Sequence, residues 1–151
     1  MNIILCVDEN MGMLFNKRRQ SRDKKVIEDI IRMADVLWIH PFSEKLFQEN
    51  GMQKVYENDI KQILTDENFL KKAGPGQYCF VENQELMLYS NNIEQIVLYC
   101  WNRKYPSDFK LDLNLSKWEV KKVTEFVGNS HEKITKTIYE KAGEKHDWKK
   151  Y

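Results

Sequence analysis

This sequence lacks an excess of charge of either sign. Its 151 residues carry 24 Lys and Arg against 23 Asp and Glu, so the formal net charge is +1. With 42% hydrophobic and 31% charged residues, this balance excludes a disordered, fibrous or nucleic-acid-coating protein and is typical of a globular one. We therefore expect no nucleic-acid partner. The length fits one domain, which we predict over residues 1–141, followed by a charged, frayed tail over residues 142–151.

Long apolar runs and cysteine are also scarce. The apolar run at residues 3–7 is too short to span a membrane, and Asp8 follows it at once without a basic segment before it. We therefore expect no membrane anchor and a cytoplasmic location. Cys6, Cys79 and Cys100 each lie within an apolar run, which is typical of reduced, buried thiols rather than of a disulfide framework.

The first forty residues carry a β-α-β pattern. Residues 3–7 and 36–39 are short apolar runs that predict strands covered on both faces. Between them, apolar residues at helical spacing predict an amphipathic helix over residues 21–34, with Ser21 as its N-cap. A strand, a crossover helix and a second strand favour a parallel pair with a right-handed connection, so the sheet is of the open α/β type.

The rest of the chain alternates strand and helix signals. We predict a short helix over residues 43–47, a brief strand over 54–57, one helix or two over 59–73, strands over 77–82 and 95–101, and a helical turn over 84–89. Residues 117–126 and 133–139 alternate apolar and polar side chains, which predicts an antiparallel pair. The fold class that follows is α/β, an open, mostly parallel twisted sheet flanked by helices, with an antiparallel C-terminal pair.

Two segments resemble dihydrofolate reductases. The run from Ile3 to Met13, with its Asp-Glu-Asn turn and Gly12, is similar to the first strand and following loop of that family. The run Ile93 to Tyr99, followed by Tyr105-Pro106, resembles the strand after the cofactor helix and the aromatic-proline turn. The order and spacing match over nearly the whole chain, so the resemblance implies a dihydrofolate-reductase-like fold.

The resemblance also implies site residues. Asp23 matches the acid that supports protonation of the pterin, and His40, near the expected cleft, is a second acid–base candidate. Ser43 matches the hydroxyl of the phosphate-binding Gly-Arg-x-Thr motif. The family's Gly-Gly pair, which lets the backbone approach the pyrophosphate, is replaced by Val81-Glu82-Asn83. NADPH is the cofactor that the resemblance implies, but the missing glycines disfavour it.

Residues 17–25 form the most basic segment. They contain three arginines and three lysines against one acid, Asp23. Arg18 and Arg19 stand where the family has Leu-Pro-Trp, and they could bind an anion, since guanidinium groups pair well with phosphate. The alternative is a solvated loop and helix face. Trp38 is expected near the carboxyl ends of the first two strands, where a ligand would bind, and plain core packing is the alternative. His131 is predicted to be an ordinary turn residue.

Histidine is too sparse for a metal site. Small bacterial proteins of this superfamily often carry the label ribonuclease Z, which implies two zinc ions held by clustered His and Asp ligands. His40, His131 and His146 are widely separated and form no ligand motif. We therefore predict no metal site and no zinc-dependent ribonuclease activity.

The sequence supports three hypotheses for function. The first is a diverged NADPH-dependent reductase of a pterin-like substrate, with Asp23 as proton relay and Ser43 as phosphate contact. The second is a non-catalytic module that binds a small anion or a nucleotide in the cleft beside Arg18 and Arg19. The third, less favoured because the total charge is nearly neutral, is an RNA-associated protein. The sequence indicates no oligomeric state.

Overall fold

The described chain comprises residues 1–48 and 62–142, as given by a computed structural model. The strand predicted over residues 54–57 lies outside these residues, and so does nearly all of the predicted tail.

The described strands are β1 (Asn2–Val7), β2 (Gly12–Phe15), β3 (Arg18–Arg19), β4 (Val36–Ile39), β5 (Gln62–Thr65), β6 (Tyr78–Phe80), β7 (Gln95–Cys100), β8 (Phe109–Lys110), β9 (Trp118–Phe126) and β10 (Ile134–Lys141). The α-helices are α1 (Lys24–Met33), α2 (Glu44–Phe47) and α3 (Phe69–Lys72), and 3₁₀ helices span Pro41–Ser43, Met87–Asn92 and Leu115–Lys117.

Seven strands form one twisted sheet in the order β5-β4-β6-β1-β7-β10-β9. The first five of these run parallel, and β10 is antiparallel to both β7 and β9. A small antiparallel sheet, β3-β2-β8, lies beyond the end of β1. The predicted fold class is therefore confirmed, including the antiparallel C-terminal pair.

The central strand β1 explains why its sequence is a continuous apolar run. Ile4 packs into the cluster that α1 covers, whereas Ile3, Leu5 and Val7 pack into the cluster on the opposite face. All four side chains are fully buried. A strand covered on both faces carries apolar residues at every position rather than at alternate ones.

The start of α1 differs from the prediction. The helix begins at Lys24 rather than Ser21, and its N-cap is Asp23, whose side chain accepts a hydrogen bond from the backbone N–H of Lys25. The expected N-cap role of Ser21 is therefore wrong. Aspartate and serine are equally good caps, so the local sequence could not choose between them.

The helix predicted over residues 59–73 is also corrected. Residues 62–65 form β5, which pairs parallel with β4, and only Phe69–Lys72 are helical. The helix end before Gly74-Pro75 is as predicted. Residues 62–65 contain only two apolar residues, Ile63 and Leu64, too few to show a period that separates a strand from a helix. Pairing with β4 decides the outcome here.

The helices and the cysteines bear on membrane spanning and on thiol chemistry. No described helix is long and apolar enough to cross a membrane. All three cysteines are free thiols, with Cys79 buried and Cys6 and Cys100 half-buried. Burial raises the pKa of the Cys79 thiol to about 12, so it stays protonated and unreactive near neutral pH.

Candidate functional site

The carboxyl ends of the parallel strands bring the polar residues together. Asp8 follows β1, His40 follows β4, Glu82 lies two residues after β6, and Trp101 follows β7. Open α/β sheets bind ligands at this edge. The predicted site residues lie around it, but most of them are already engaged by other groups of the chain.

Asp23 is almost completely buried, with 2% of its surface exposed. One carboxylate oxygen accepts hydrogen bonds from the backbone N–H groups of Lys25 and Asn129, at 2.9 and 3.1 Å. The other accepts from the backbone N–H and the hydroxyl of Ser130, both at 2.9 Å. Burial by itself raises the pKa of Asp23, but these hydrogen bonds outweigh it and lower the pKa below the ordinary value. The carboxylate is therefore ionised and fully occupied.

The loop between β9 and β10 is what covers Asp23. A Cβ atom at Gly128 would collide with the Asp23 carboxylate and with Ile134, so only glycine fits there. The backbone N–H of Lys24 also donates to the side chain of Asn129. This loop therefore seals the start of α1 instead of leaving Asp23 open to a substrate.

His131 is a buried part of the same network, with 4% of its surface exposed. Its Nδ1 hydrogen-bonds with the Ser130 hydroxyl and its Nε2 with the Tyr105 hydroxyl, both at 2.8 Å. The ring stacks on Trp101 with centroids 4.7 Å apart, and Nδ1 lies 3.6 Å from Asp23. The prediction of an ordinary turn residue missed this role, because Tyr105 and Trp101 are far away in sequence.

Almost no space remains beside Asp23. The cavity bounded by Asp23, Val26, Leu46, Phe80 and Trp101 has a volume of about 10 Å³. A single water molecule needs at least that much. The protein interior beside Asp23 is therefore closely packed.

Ser43 and Arg19, both predicted to contact a cofactor, instead bind the same carboxylate. Arg19 donates from Nε and Nη2 to the two oxygens of Glu82, each at 2.8 Å. The Ser43 hydroxyl donates to one of these oxygens at 2.7 Å. Ser43 is fully buried and Glu82 is 8% exposed. This shielded pair joins β3, the turn after β4 and the turn after β6.

His40 and Arg18 are the two remaining predicted site residues. The Nδ1 atom of His40 accepts from the backbone N–H of Phe42 at 3.0 Å and so caps the 3₁₀ helix Pro41–Ser43. Arg18 is exposed in the β2–β3 hairpin. The structure therefore brings together Arg19 and Ser43, gives Asp23 and His40 capping roles, and leaves Arg18 at the surface.

A second carboxylate caps the 3₁₀ helix that follows β6. Asp112 accepts from the backbone N–H groups of Leu86 and Met87 at 2.9–3.0 Å. Neither Asp112 nor Glu82 was identified from the sequence as a binding partner. Each pairs with residues at least 25 positions away, and no local pattern announces such a contact.

One open cleft remains at this edge, with a volume of about 500 Å³. It is lined by Leu14, Asn16, Lys17, Phe42, Asn83, Asp108 and Phe109. The backbone N–H of Asn16 donates to Asp108 at 3.0 Å, which ties the hairpin to the segment before β8. The volume falls within the usual range of small-molecule sites. No group of three His, Cys, Asp or Glu side chains that could hold a metal ion occurs among residues 1–48 and 62–142.

Comparison with known proteins identifies the fold. No model of a protein family matches the chain, and no curated protein sequence matches it. Among solved structures, the dihydrofolate reductase from Enterococcus faecalis, complexed with NADP(H) and RAB-propyl, is similar with a TM-score of 0.62. The similarity covers 93% of this chain and 95% of that one, at 10% identity. The fold is thus dihydrofolate-reductase-like, as the sequence resemblance implied.

Proposed function

We propose that this chain is a non-catalytic binding protein on a dihydrofolate-reductase-like fold, with its ligand in the 500 Å³ cleft. The observation that carries the proposal is the state of Asp23, the only match to the family's proton-relay acid. Its carboxylate is buried, ionised and saturated by hydrogen bonds from its own chain. These hydrogen bonds stabilise the anion rather than the proton-donating form, so Asp23 serves the fold of its own chain.

A pterin-like substrate does not fit beside Asp23. The cavity there has a volume of about 10 Å³, whereas pockets for small ligands usually measure about 300 Å³ or more. Trp101 and Leu46 fill the interior. Opening this space would break the stacking of Trp101 on His131 and expose the core.

NADPH does not fit the positions that hold it in the family. The turn after β6 carries side chains instead of a Gly-Gly pair, so the backbone cannot approach a pyrophosphate closely. The Ser43 hydroxyl is bonded to Glu82, and the first N–H groups of the next helix are bonded to Asp112. Two carboxylates of the chain therefore take the donors that cofactor phosphates would need.

The open cleft has a mixed lining that suits a planar, polar heterocycle. Phe42, Phe109 and Leu14 supply apolar and aromatic area, and aromatic rings favour stacked or edge-on contact with another ring. The amides of Asn16 and Asn83 can both donate and accept hydrogen bonds. Lys17 adds one cation at the rim. A nucleoside or mononucleotide has this chemistry, which agrees with the nucleotide-binding hypothesis.

Thermal unfolding with a panel of ligands tests the proposal. The purified protein is scanned alone and with nucleosides, mononucleotides, folates, NADH and NADPH. We expect a rise in Tm with a nucleoside or mononucleotide, since a ligand at about one hundred times its Kd stabilises by about 2.7 kcal/mol. We expect no rise with folates or either dinucleotide.

Two variants locate the binding site. Asn83→Ala removes one amide from the cleft and should weaken the ligand-induced rise in Tm. The matched control, Asn91→Ala, changes an exposed amide elsewhere and should leave that rise unchanged. Stabilisation by NADPH together with folate-dependent loss of NADPH absorbance would refute the proposal and support the reductase hypothesis. The cytoplasmic location stays a prediction from the sequence.

A further inference from the structure

The folded chain gathers positive charge that is scattered along its sequence. Arg18 lies in the β2–β3 hairpin, and Lys24 stands at the start of α1. Arg103 and Lys104 lie in the loop after β7. All four side chains are exposed. Contacts between the hairpin and the loop after β7 place Arg18, Arg103 and Lys104 in adjoining segments.

Three hydrogen bonds establish that the segments adjoin. The side chain of Gln20 donates to the backbone oxygen of Pro106 at 3.4 Å, which joins the hairpin to the loop after β7. The same side chain donates to Asp8 at 3.2 Å. The backbone N–H of Glu9 donates to the oxygen of Arg103 at 3.0 Å. The cationic loop is therefore fixed against the hairpin.

Aromatic rings lie among these cations. A shallow depression of about 280 Å³ is lined by Phe15, Arg18, Tyr105 and Pro106, together with Asn16, Arg19 and Gln20. Phe15 is 49% exposed, so its ring is accessible to a stacking partner. The depression is smaller than a typical small-molecule site, so it suits one part of a longer ligand.

Tyr105 is held rigidly from behind. Its hydroxyl hydrogen-bonds with His131 at 2.8 Å, and its backbone N–H donates to Asp8 at 3.1 Å. Asp8 is itself fully buried. A ring fixed in this way loses little conformational entropy when another ring stacks on it.

We propose that this surface, formed by Phe15, Arg18, Arg103, Lys104 and Tyr105, binds single-stranded nucleic acid. Bases stack on the aromatic rings, and the cations neutralise the phosphates between them. Interleaved rings and cations are the common feature of single-strand binding sites. The depression and the 500 Å³ cleft share only Asn16 among their lining residues, so this proposal does not depend on a ligand in the cleft.

The net charge of +1 predicted no nucleic-acid partner from the sequence. That argument counts charges over the whole chain, whereas electrostatic attraction over a few ångströms depends on the local arrangement. With three cations contacting phosphates, the logarithm of the affinity should fall against the logarithm of salt concentration with a slope of about −2. Binding is therefore expected to be modest and salt-dependent.

Fluorescence anisotropy with the full chain provides the test. The probes are fluorescein-labelled oligouridylate and oligoadenylate of about 12 nucleotides, within the range of single-strand site sizes, titrated over a series of KCl concentrations. Unlabelled heparin is the competitor that carries charge without bases. Phe15→Ala removes a stacking ring, Arg18→Ala removes a cation, and Lys71→Ala removes an exposed cation outside this surface.

We expect Phe15→Ala and Arg18→Ala each to weaken binding by about fivefold or more, and Lys71→Ala to leave it unchanged. Arg18→Ala should also make the salt slope shallower by about 0.7. If Phe15→Ala does not fold, the comparison of Arg18→Ala with Lys71→Ala decides the matter.

Absence of binding at the lowest salt overturns the proposal. Equal losses in Arg18→Ala and Lys71→Ala, or full affinity in a folded Phe15→Ala, also overturn it, since binding would then be non-specific attraction to a polyanion. Loss of nucleoside binding in Asn83→Ala with oligonucleotide affinity intact would separate this surface from the cleft.

Discussion

Asp23 illustrates how one carboxylate can lose an acid's role while keeping its position. It stands immediately before α1, where the resemblance implies a proton relay. Its two oxygens bind backbone groups of α1 and of the loop between β9 and β10. A buried carboxylate with several N–H donors is stable only as the anion. At the scale of the residue, Asp23 is a structural cap.

Replacing Asp23 tests this role. Asp23→Ala leaves the N–H groups of Lys25, Asn129 and Ser130 without their acceptor, and unsatisfied buried donors cost about 1–3 kcal/mol. We expect the free energy of unfolding to fall by about 2–3 kcal/mol, including the loss of the N-cap. Urea denaturation measures this change.

The control is Asp66→Ala, which removes a cap at an exposed turn before α3. It should cost clearly less than Asp23→Ala. Equal costs for the two variants would show that the loop between β9 and β10 does not depend on Asp23.

The Arg19–Glu82 ion pair, half-buried at Arg19 and buried at Glu82, joins separate elements as the sheet does. Glu82 follows β6, Arg19 belongs to β3, and Ser43 ends the 3₁₀ helix Pro41–Ser43. The pair is bidentate, and Arg19 also lies over the ring of Phe42 at 4.9 Å. Such a pair holds separate elements in one arrangement, because either partner alone would be a buried, uncompensated charge.

A double-mutant cycle on Arg19 and Glu82 measures this link. Arg19→Ala and Glu82→Ala should each lower the free energy of unfolding by about 3 kcal/mol. The double variant should lose less than the sum of the two by about 1–3 kcal/mol. The exposed pair Lys133–Glu125 is the matched control, and its cycle should give about 0–1 kcal/mol. Additive costs at Arg19 and Glu82 would contradict the coupling.

The whole molecule should be most stable at neutral pH or above. His131 faces Asp23, Tyr105 and Arg103, and desolvation by burial lowers its pKa below the ordinary value of 6.5 despite the opposing effect of Asp23. The unfolded chain therefore binds a proton more readily than the folded one between these two pKa values. The contribution of His131 to the free energy of unfolding is complete above about pH 6.5 and is lost as the pH falls below it.

Urea denaturation between about pH 7 and pH 5 measures this dependence. The free energy of unfolding should decrease over that range in the native chain. In His131→Gln the decrease should be smaller. A further loss at lower pH is expected in both, since hydrogen bonds lower the pKa values of Asp8 and Asp23 below 3.8. An identical profile in the native chain and His131→Gln would exclude His131 as the cause.

The sequence by itself determined where the central strand β1, the helix α1 and the C-terminal strand pair form. A continuous apolar run gives a doubly covered strand such as β1, and alternation gives strands such as β9 and β10, although β9, at the sheet edge, is exposed at every position from 120 to 125. These are local properties, because they follow from the direction in which successive side chains point. Where the local signal was ambiguous, at residues 62–65 and at the cap of α1, pairing and packing chose the outcome.

Only the tertiary structure decided what the polar residues do. Asp23 bonds to residues more than 100 positions away, and Arg19 bonds to Glu82 across 63 positions. Asp23, His40, Ser43 and Arg19 all lie near the carboxyl edge of the sheet, but the sequence did not identify their partners. Whether a carboxylate serves as an acid or as a cap depends on which donors reach it, and those donors are brought close only when distant segments of the chain pack together.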